Sequence, residues 1–400
     1  MSAQQTTLWR LADYENGFAF KPDDFGPTGT PVVRIRQLVD PAAEVDLTDR
    51  HGLSRNLLTN GDLIFSWSGS LAVRIWDRGP AWLNQHLFKV VPAPGVDKFW
   101  LRWVIDSSIL VFEGMMHGSA MTHLNLDMLK QVKIEVPPLD EQRRIANFLE
   151  AEIARIDQLQ ALQGSVLREL AVRDTAVRAR VVDELAALAG ELPLRRYSRK
   201  IEQGASPPCL NYPREAGAWG VVKLSAVKNG QFFPNENKQL PEDVAPVRQY
   251  ELRQGDLLVT RANTPDLVGD VAVVSGDADK LLLPDLIYRV TLDPQVQTEF
   301  VVQVLLSVRV RNLIQAAARG SSQSMVKLRG QDLQEWPIPR ANERQQTDLV
   351  AEINDHLGAS ARLRVAIDRQ LALLAERRQA LITAAVTGQI DVTTARGLST

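Results

Sequence analysis

Thirteen polar side chains offer this chain directional donors and acceptors of the kind that reads a base edge. Arg34, Arg36, Ser66, Ser68, Asn84, Gln85 and His86 fall in the first 139 residues, and Lys223, Thr260, Arg261, Asn263, Gln323 and Lys327 fall between 192 and 340. In a duplex groove Arg suits guanine, Asn or Gln suits adenine, and Ser or Thr suits either. Each has a plainer reading beside it. Arg34 and Arg36 fit one solvated strand face, and Asn84-Gln85-His86 fits an internally bonded turn. Trp67 and Trp76 read as core more readily than as stacking platforms, His123 as a loop residue and Lys21 as an ordinary exposed lysine.

A catalyst is harder to find. Val136-Pro137-Pro138-Leu139 and Ser206-Pro207-Pro208-Cys209 are the only double-proline segments, and neither fits the Asn/Asp-Pro-Pro-aromatic motif that holds a flipped adenine. There is no GxxxxGK[ST] phosphate loop and no acid-lysine pattern suited to phosphodiester cleavage. The five histidines (51, 86, 117, 123 and 356) lack HExxH spacing, and the single Cys209 excludes internal disulfides and thiolate-rich metal sites. No metal site is expected. One cysteine, no signal-peptide pattern and no apolar run of membrane-spanning length lead to the expectation of a cytoplasmic protein.

The 400 residues carry a net charge of −2, yet residues 192–340 hold an excess of three basic side chains. Global charge therefore neither supports nor excludes nucleic acid, because partners in a complex can share phosphate neutralisation.

Two stretches must position these residues. After Pro137-Pro138, apolar residues recur in steps of three and four from Asp140 to about Ala189, including Ile145, Leu149, Ile156 and Leu159. The narrow stripe predicts one long helix with a coiled-coil seam, Asp140 at its N-cap and Gly190 past its end. Fifty residues span about 75 Å. Pro339-Arg340-Ala341-Asn342-Glu343 repeats that start at an offset of 202, and a second stripe follows through Ile353, Ile367, Leu371 and Leu374, with a skip at Ser360 and Gly388 as its stop. A charge at Ile156 or Leu159 is expected to loosen the pair.

The segments between are also related. Trp219 to Leu224 matches Val32-Val33-Arg34-Ile35 at an offset of 189, Gln254 to Arg261 matches Asn60 to Trp67 at 194, and Gly320-Ser321 matches Gly118-Ser119 at 202. Pro31 to Arg36 and Val73 to Trp76 read as strands, Asn60 to Gly69 as a turn running into a strand, and Phe99 to Phe112 as helix. The expected fold class is α+β: two mixed α/β globules separated by two long helices forming an antiparallel coiled coil, with an internal pseudo-two-fold duplication. The divisions are 1–139, 140–191, 192–340 and 341–400. Each globule would start its own helix, at opposite ends of the rod.

The motifs GDLIFSWSGS, LNQHLFKVVP, VPPLDEQRRIANFLEAEIARID, QGDLLVTRAN, GSSQSMVKLRGQDLQEWPIP and RRQALITAAVTGQIDV, in this order, make the chain resemble the specificity subunit of type I restriction-modification systems along nearly its whole length. The resemblance implies two target-recognition domains that each read half of a split site on double-stranded DNA. It implies docking to methyltransferase subunits, two in number, and through them to an ATP-driven restriction subunit. AdoMet, Mg²⁺ and ATP would belong to those partners and none to this chain. One departure stands out: the first helix ends LRELAVRDTAVRARVVDEL where the second has RRQALITAAVTG. Two other readings stay open, a coiled-coil adaptor that never touches DNA and a self-contained DNA methyltransferase or nuclease.

Overall fold

A computed structural model describes residues 4–40, 42–52, 54–117, 123–322 and 325–392. The chain divides into two compact units, Met1–Gln163 with Asp368–Thr400, and Gly164–Ile367. Each unit thus contains one end of each long helix, the first running Leu139–Ala189 and the second Glu343–Val386.

In the first unit the main sheet orders Ala12–Asn16, Leu87–Pro92, Leu63–Ser66 and Val73–Ile75, all antiparallel. In the second, Ser198–Gln203, Ile287–Leu292, Leu257–Thr260 and Val271–Val273 follow the same order and directions. A smaller sheet pairs Thr30–Val33 in parallel with Ala81–Leu83, and its counterpart pairs Gly220–Val222 in parallel with Leu281–Leu282. A two-stranded ribbon joins Gln4–Thr7 to Lys133–Val136, matched by Glu191–Pro193 with Pro337–Pro339. The duplication seen in the sequence is a duplication of topology.

The central strands explain why both Gly-Asp-Leu segments run into unbroken apolar stretches. Side chains alternate between the faces of a strand, and here both faces are covered. Leu63 and Phe65 pack in the core that includes Trp100, Trp103 and Leu149, while Ile64 packs with Val33, Trp76 and Leu83. Leu257 and Val259 likewise join Phe300 and Leu349, and Leu258 joins Val222 and Leu281.

Within each unit the two long helices run antiparallel. In the first, Asp157 meets Arg378 at 2.7 Å and Gln163 meets Gln370 at 2.7 Å, so partners fall in number as the first helix rises. In the second, Asp174 meets Ser360 at 2.6 Å and Arg180 meets Glu352 at 2.7 Å. Ile145, Leu149, Ile156, Ile353 and Ile367 are buried, and Leu371 and Leu374 are half-buried. Leu159 is 49% exposed, which removes it from the seam: two helices cover a strip narrower than the stripe, and a charge there would stay solvated. Ile156 keeps the role. The skip at Ser360 is a buried polar layer, in which Asp174 also takes Arg364 at 2.8 Å and faces His356 at 3.3 Å.

Local chemistry sets the ends. Gly190 and Gly388 have φ of +71° and +70°, the left-handed stop expected of them. The first helix begins at Leu139, one residue before the expected N-cap, which leaves Asp140 in its first turn. Asn342 and Gln345 cap the second by exchanging hydrogen bonds of 3.0 Å. The strand expected over Pro31–Arg36 stops at Val33, and Ile35–Val39 turns into a short helix. Gln37 accepts the Arg34 backbone N–H at 2.9 Å, a side-chain cap that overrides the apolar-basic alternation.

One buried residue in each unit ties globule to helix. Gln142 accepts the Asp97 N–H at 2.7 Å and donates to the carbonyls of Pro137 (2.9 Å) and Gly95 (3.1 Å). Gln346 accepts the Gln297 N–H at 2.8 Å and donates to the carbonyls of Gln295 and Ala341, both at 3.2 Å. Both are almost wholly buried. Their equivalence sets the helix starts at an offset of 204, not 202. Replacing either with leucine strands one N–H and two carbonyls, and should cost about 2–3 kcal/mol each in urea unfolding. The two costs should add, since the sites share no partner.

Candidate nucleic-acid interface

The end of the central hairpin gathers several of the polar candidates in each unit, and the turn that opens it is built alike in both. Gly61 and Gly255 sit at φ +92° and +85°, where a side chain would be strained. Asp62 accepts the Thr59 N–H at 2.8 Å and pairs with Lys89 at 2.9 Å; Asp256 accepts the Arg253 N–H at 2.9 Å and pairs with Arg289 at 3.2 Å. The acid of this motif therefore serves the fold.

Ser66 and Thr260, both counted among possible base readers, are fully buried. The Ser66 hydroxyl donates to the Ser70 carbonyl at 2.7 Å and accepts the Ala72 N–H at 2.7 Å. Thr260 donates to the Leu267 carbonyl at 3.0 Å and accepts the Asp270 N–H at 2.9 Å. Each closes its hairpin with its one donor spent, and burial keeps the remaining lone pair out of reach of a base. Asn84 is also buried.

Beyond the hairpin the two units diverge. In the first, the Trp67 ring N–H donates to the Gln85 carbonyl at 3.1 Å, and Ser68 Oγ lies 3.0 Å from His86 Nδ1. Gln85 Nε2 lies 3.2 Å from His86 Nε2, and Trp67 packs against the rings of His86 (5.5 Å) and His123 (5.8 Å). Ser68 is buried there, while Gln85 and His86 are half-buried. Trp76 is core, as read from sequence; Trp67 is a partly buried support for this cluster. In the second unit, Arg261 donates to the Tyr288 hydroxyl at 3.2 Å, and the pairing of Ala262–Asn263 with Val326–Lys327 sets Asn263 opposite Val326 and exposed Lys327 opposite Ala262. Gln323, and Gly118-Ser119 of the repeat, lie outside the described residues.

A second pair of candidates follows the parallel strand of the smaller sheet. Arg34 meets Asp46 at 3.1 Å and packs over the Phe25 ring at 4.7 Å, and Arg36 meets the same Asp46 at 2.8 Å. The corresponding Lys223 meets Glu236 at 2.9 Å. Hydrogen bonds from Ser225 and Lys223 hold the Glu236 carboxyl below the usual carboxylate range. Arg34 and Lys223 remain about two-fifths exposed, so both cations can still reach a polyanion. Among the described residues no cluster of His, Cys, Asp and Glu is placed to hold a metal ion.

Sequence reasoning missed Gln142, Gln346, Lys89 and Arg289. The only signal for them was that a Gln recurs near the start of both long helices and a cation recurs in both Leu87–Pro92 and Ile287–Leu292.

Residues 7–166 match the family described as type I restriction modification DNA specificity domain. The chain is 29% identical over 157 residues to the type I restriction enzyme EcoEI specificity subunit of Escherichia coli, a match covering 39% of this chain and 26% of that one. It is 21% identical over 408 residues to the EcoBI specificity subunit of Escherichia coli, covering 95% of this chain and 84% of that one. A solved structure described as showing complex assembly and conformational transition of the type I R-M system aligns with a TM-score of 0.70 at 18% identity, over 97% of this chain and 98% of that one.

Proposed function

We propose that this chain, which belongs to the family of type I restriction-modification specificity subunits and so serves DNA target recognition, reads a split and asymmetric target. Each globule takes one half-site on double-stranded DNA, and the paired helices act as spacer and as dock for two methyltransferase subunits, which recruit the restriction subunit. The observation that carries this reading is a shared frame with unlike tips. Identical strand orders present Gln85 and His86 in one unit and Arg261, Asn263 and Lys327 in the other, while Arg34 and Lys223 occupy matching places. Two readers on one frame with different donors favour two different base sequences. The adenine methylation and ATP-dependent steps belong to partners carrying AdoMet, Mg²⁺ and ATP. No single described helix is long and apolar enough to cross a membrane.

Mapping methylated adenines in cells with and without this gene tests the proposal. The expected pattern is two unlike short sequences with an unread gap, lost on deletion. Replacing Arg34 and Arg36 with alanine should weaken methylation and leave the half-site read by the second globule unchanged. It should also lower the salt dependence of DNA binding by the assembled complex, by up to about two charges. An unbroken target, or a pattern indifferent to deletion, would refute the split-target reading.

A further inference from the structure

Within the second unit, a groove of about 830 Å³ lies where the globule meets both long helices, and its lining includes Arg178, Gln254, Glu299, Gln303 and Asn354. Arg178, on the first helix, is only 8% exposed. Its Nε donates to Gln303 Oε1 at 2.9 Å, and Gln303 Nε2 reaches Asn354 Oδ1 at 3.5 Å. No carboxylate among the described residues forms an ion pair with this guanidinium. Glu299 does not reach it, and Asp174, one turn back, is occupied by Ser360 and Arg364. The terminal nitrogens of Arg178 have no hydrogen-bond partner among the described residues.

The first unit handles its cations differently at the corresponding junction. Arg102 has Glu150 at 2.9 Å and Arg378 has Asp157 at 2.7 Å. A buried cation facing a groove with only an amide for company is costly, and a costly arrangement invites a compensating charge. Burial pulls the Arg178 guanidinium below its usual value, with Asp174 opposing.

We propose that this groove is an oxyanion-binding site, in which a phosphate or carboxylate group sits on the free edge of Arg178. The Gln303–Asn354 chain holds the plane of the guanidinium, and its two remaining nitrogens match two oxygens of the anion. The site is separate from base reading and does not depend on it.

Thermal unfolding of the full chain, followed by tryptophan fluorescence in chloride, phosphate and acetate at one pH and ionic strength, tests this. The wild type should gain about 2 °C, saturably, from at least one oxyanion over chloride. A gain with acetate as well as phosphate assigns the carboxylate class too; a gain with phosphate alone assigns phosphate. Arg178→Met should show no oxyanion gain, because the fork that would hold the anion is gone. Arg178→Lys, which keeps the charge without the fork, should need about tenfold more anion. Arg378→Met, in the other unit, should keep the full response. No gain in the wild type, or an equal gain in Arg178→Met, would overturn the site.

Discussion

Leu149→Asp should unfold the first unit while the second keeps its fold. Leu149 is fully buried in a core that joins the sheet through Leu63 and Phe65, the helix Lys98–His117 through Trp100 and Trp103, and the end of the second long helix through Ile382 and Ala385. Losing the leucine costs about 2–5 kcal/mol by itself. A carboxylate there would have no cation partner, and leaving a buried charge unpaired adds roughly 3–5 kcal/mol. The sum approaches or exceeds the whole stability of an ordinary domain, about 5–15 kcal/mol. The readout is favourable because Trp9, Trp67, Trp76, Trp82, Trp100 and Trp103 fall in the first unit, and Trp219 and Trp336 in the second. Most of the tryptophan emission should shift red without denaturant, while a remainder keeps a cooperative urea transition. Ile353→Asp, at the corresponding place in the second unit, should give the reverse. Leu149→Met should cost less than about 1.5 kcal/mol. Loss of both units together in Leu149→Asp would show that they do not fold independently.

The second large effect is expected at Arg289. Its guanidinium donates to Glu202 at 2.7 Å, to Asp256 at 3.2 Å and to the carbonyls of Glu251 and Gln249, both at 2.8 Å, and it is 8% exposed. Arg289→Met leaves Asp256 without this cation and Glu202 with Lys200 alone, at a cost of about 3–4 kcal/mol. The lower end applies because Glu202 and Asp256 keep some solvent contact. Arg289→Lys should cost far less, since Lys89 fills this position in the first unit and reaches both Asp62 and the Leu57 carbonyl.

The same cluster sets a pH dependence. Burial opposes ionisation of Glu202, but hydrogen bonds from Lys200 and Arg289 outweigh it and hold the carboxyl below its ordinary range. A depressed folded value means that the contribution is complete above the unfolded carboxylate range and disappears as pH falls through the folded value. Wild-type stability should therefore drop on the acid side, and Arg289→Met should show a shallower drop. Urea midpoints from neutral pH downward would measure it; parallel curves would remove Glu202 from the account.

Much of the frame was legible in the residues. The long helices could be read because an apolar step of three and four, with prolines before and glycine after, has few other outcomes over fifty residues. The duplication could be read because Gly-Asp-Leu and its apolar run recur in the same order. Legibility failed where a side chain competed with a pattern. The cap from Gln37 ended a strand that alternation would have continued through Arg34 and Arg36. Leu159 kept the spacing of a seam residue but lies outside the strip that one partner helix covers. Gln142 and Gln346 looked like ordinary polar residues on helix surfaces, and their bonds to Gly95 and Gln295 lie in segments far away in sequence.

The order of elements and the paired helices were thus decided by residue pattern alone, because periodicity and turn chemistry act over a few neighbours. Which donors are free and which are already used was decided only in the folded chain. Ser66 and Thr260 are the plain case: their hydroxyls suit a base edge, but hairpin closure brings a carbonyl and an N–H to each and satisfies them there. Arg178 is the opposite case, an unremarkable arginine on a helix until packing buries it without an acid. Hydrogen-bond satisfaction is settled by partners remote along the chain, and no local pattern carries that information.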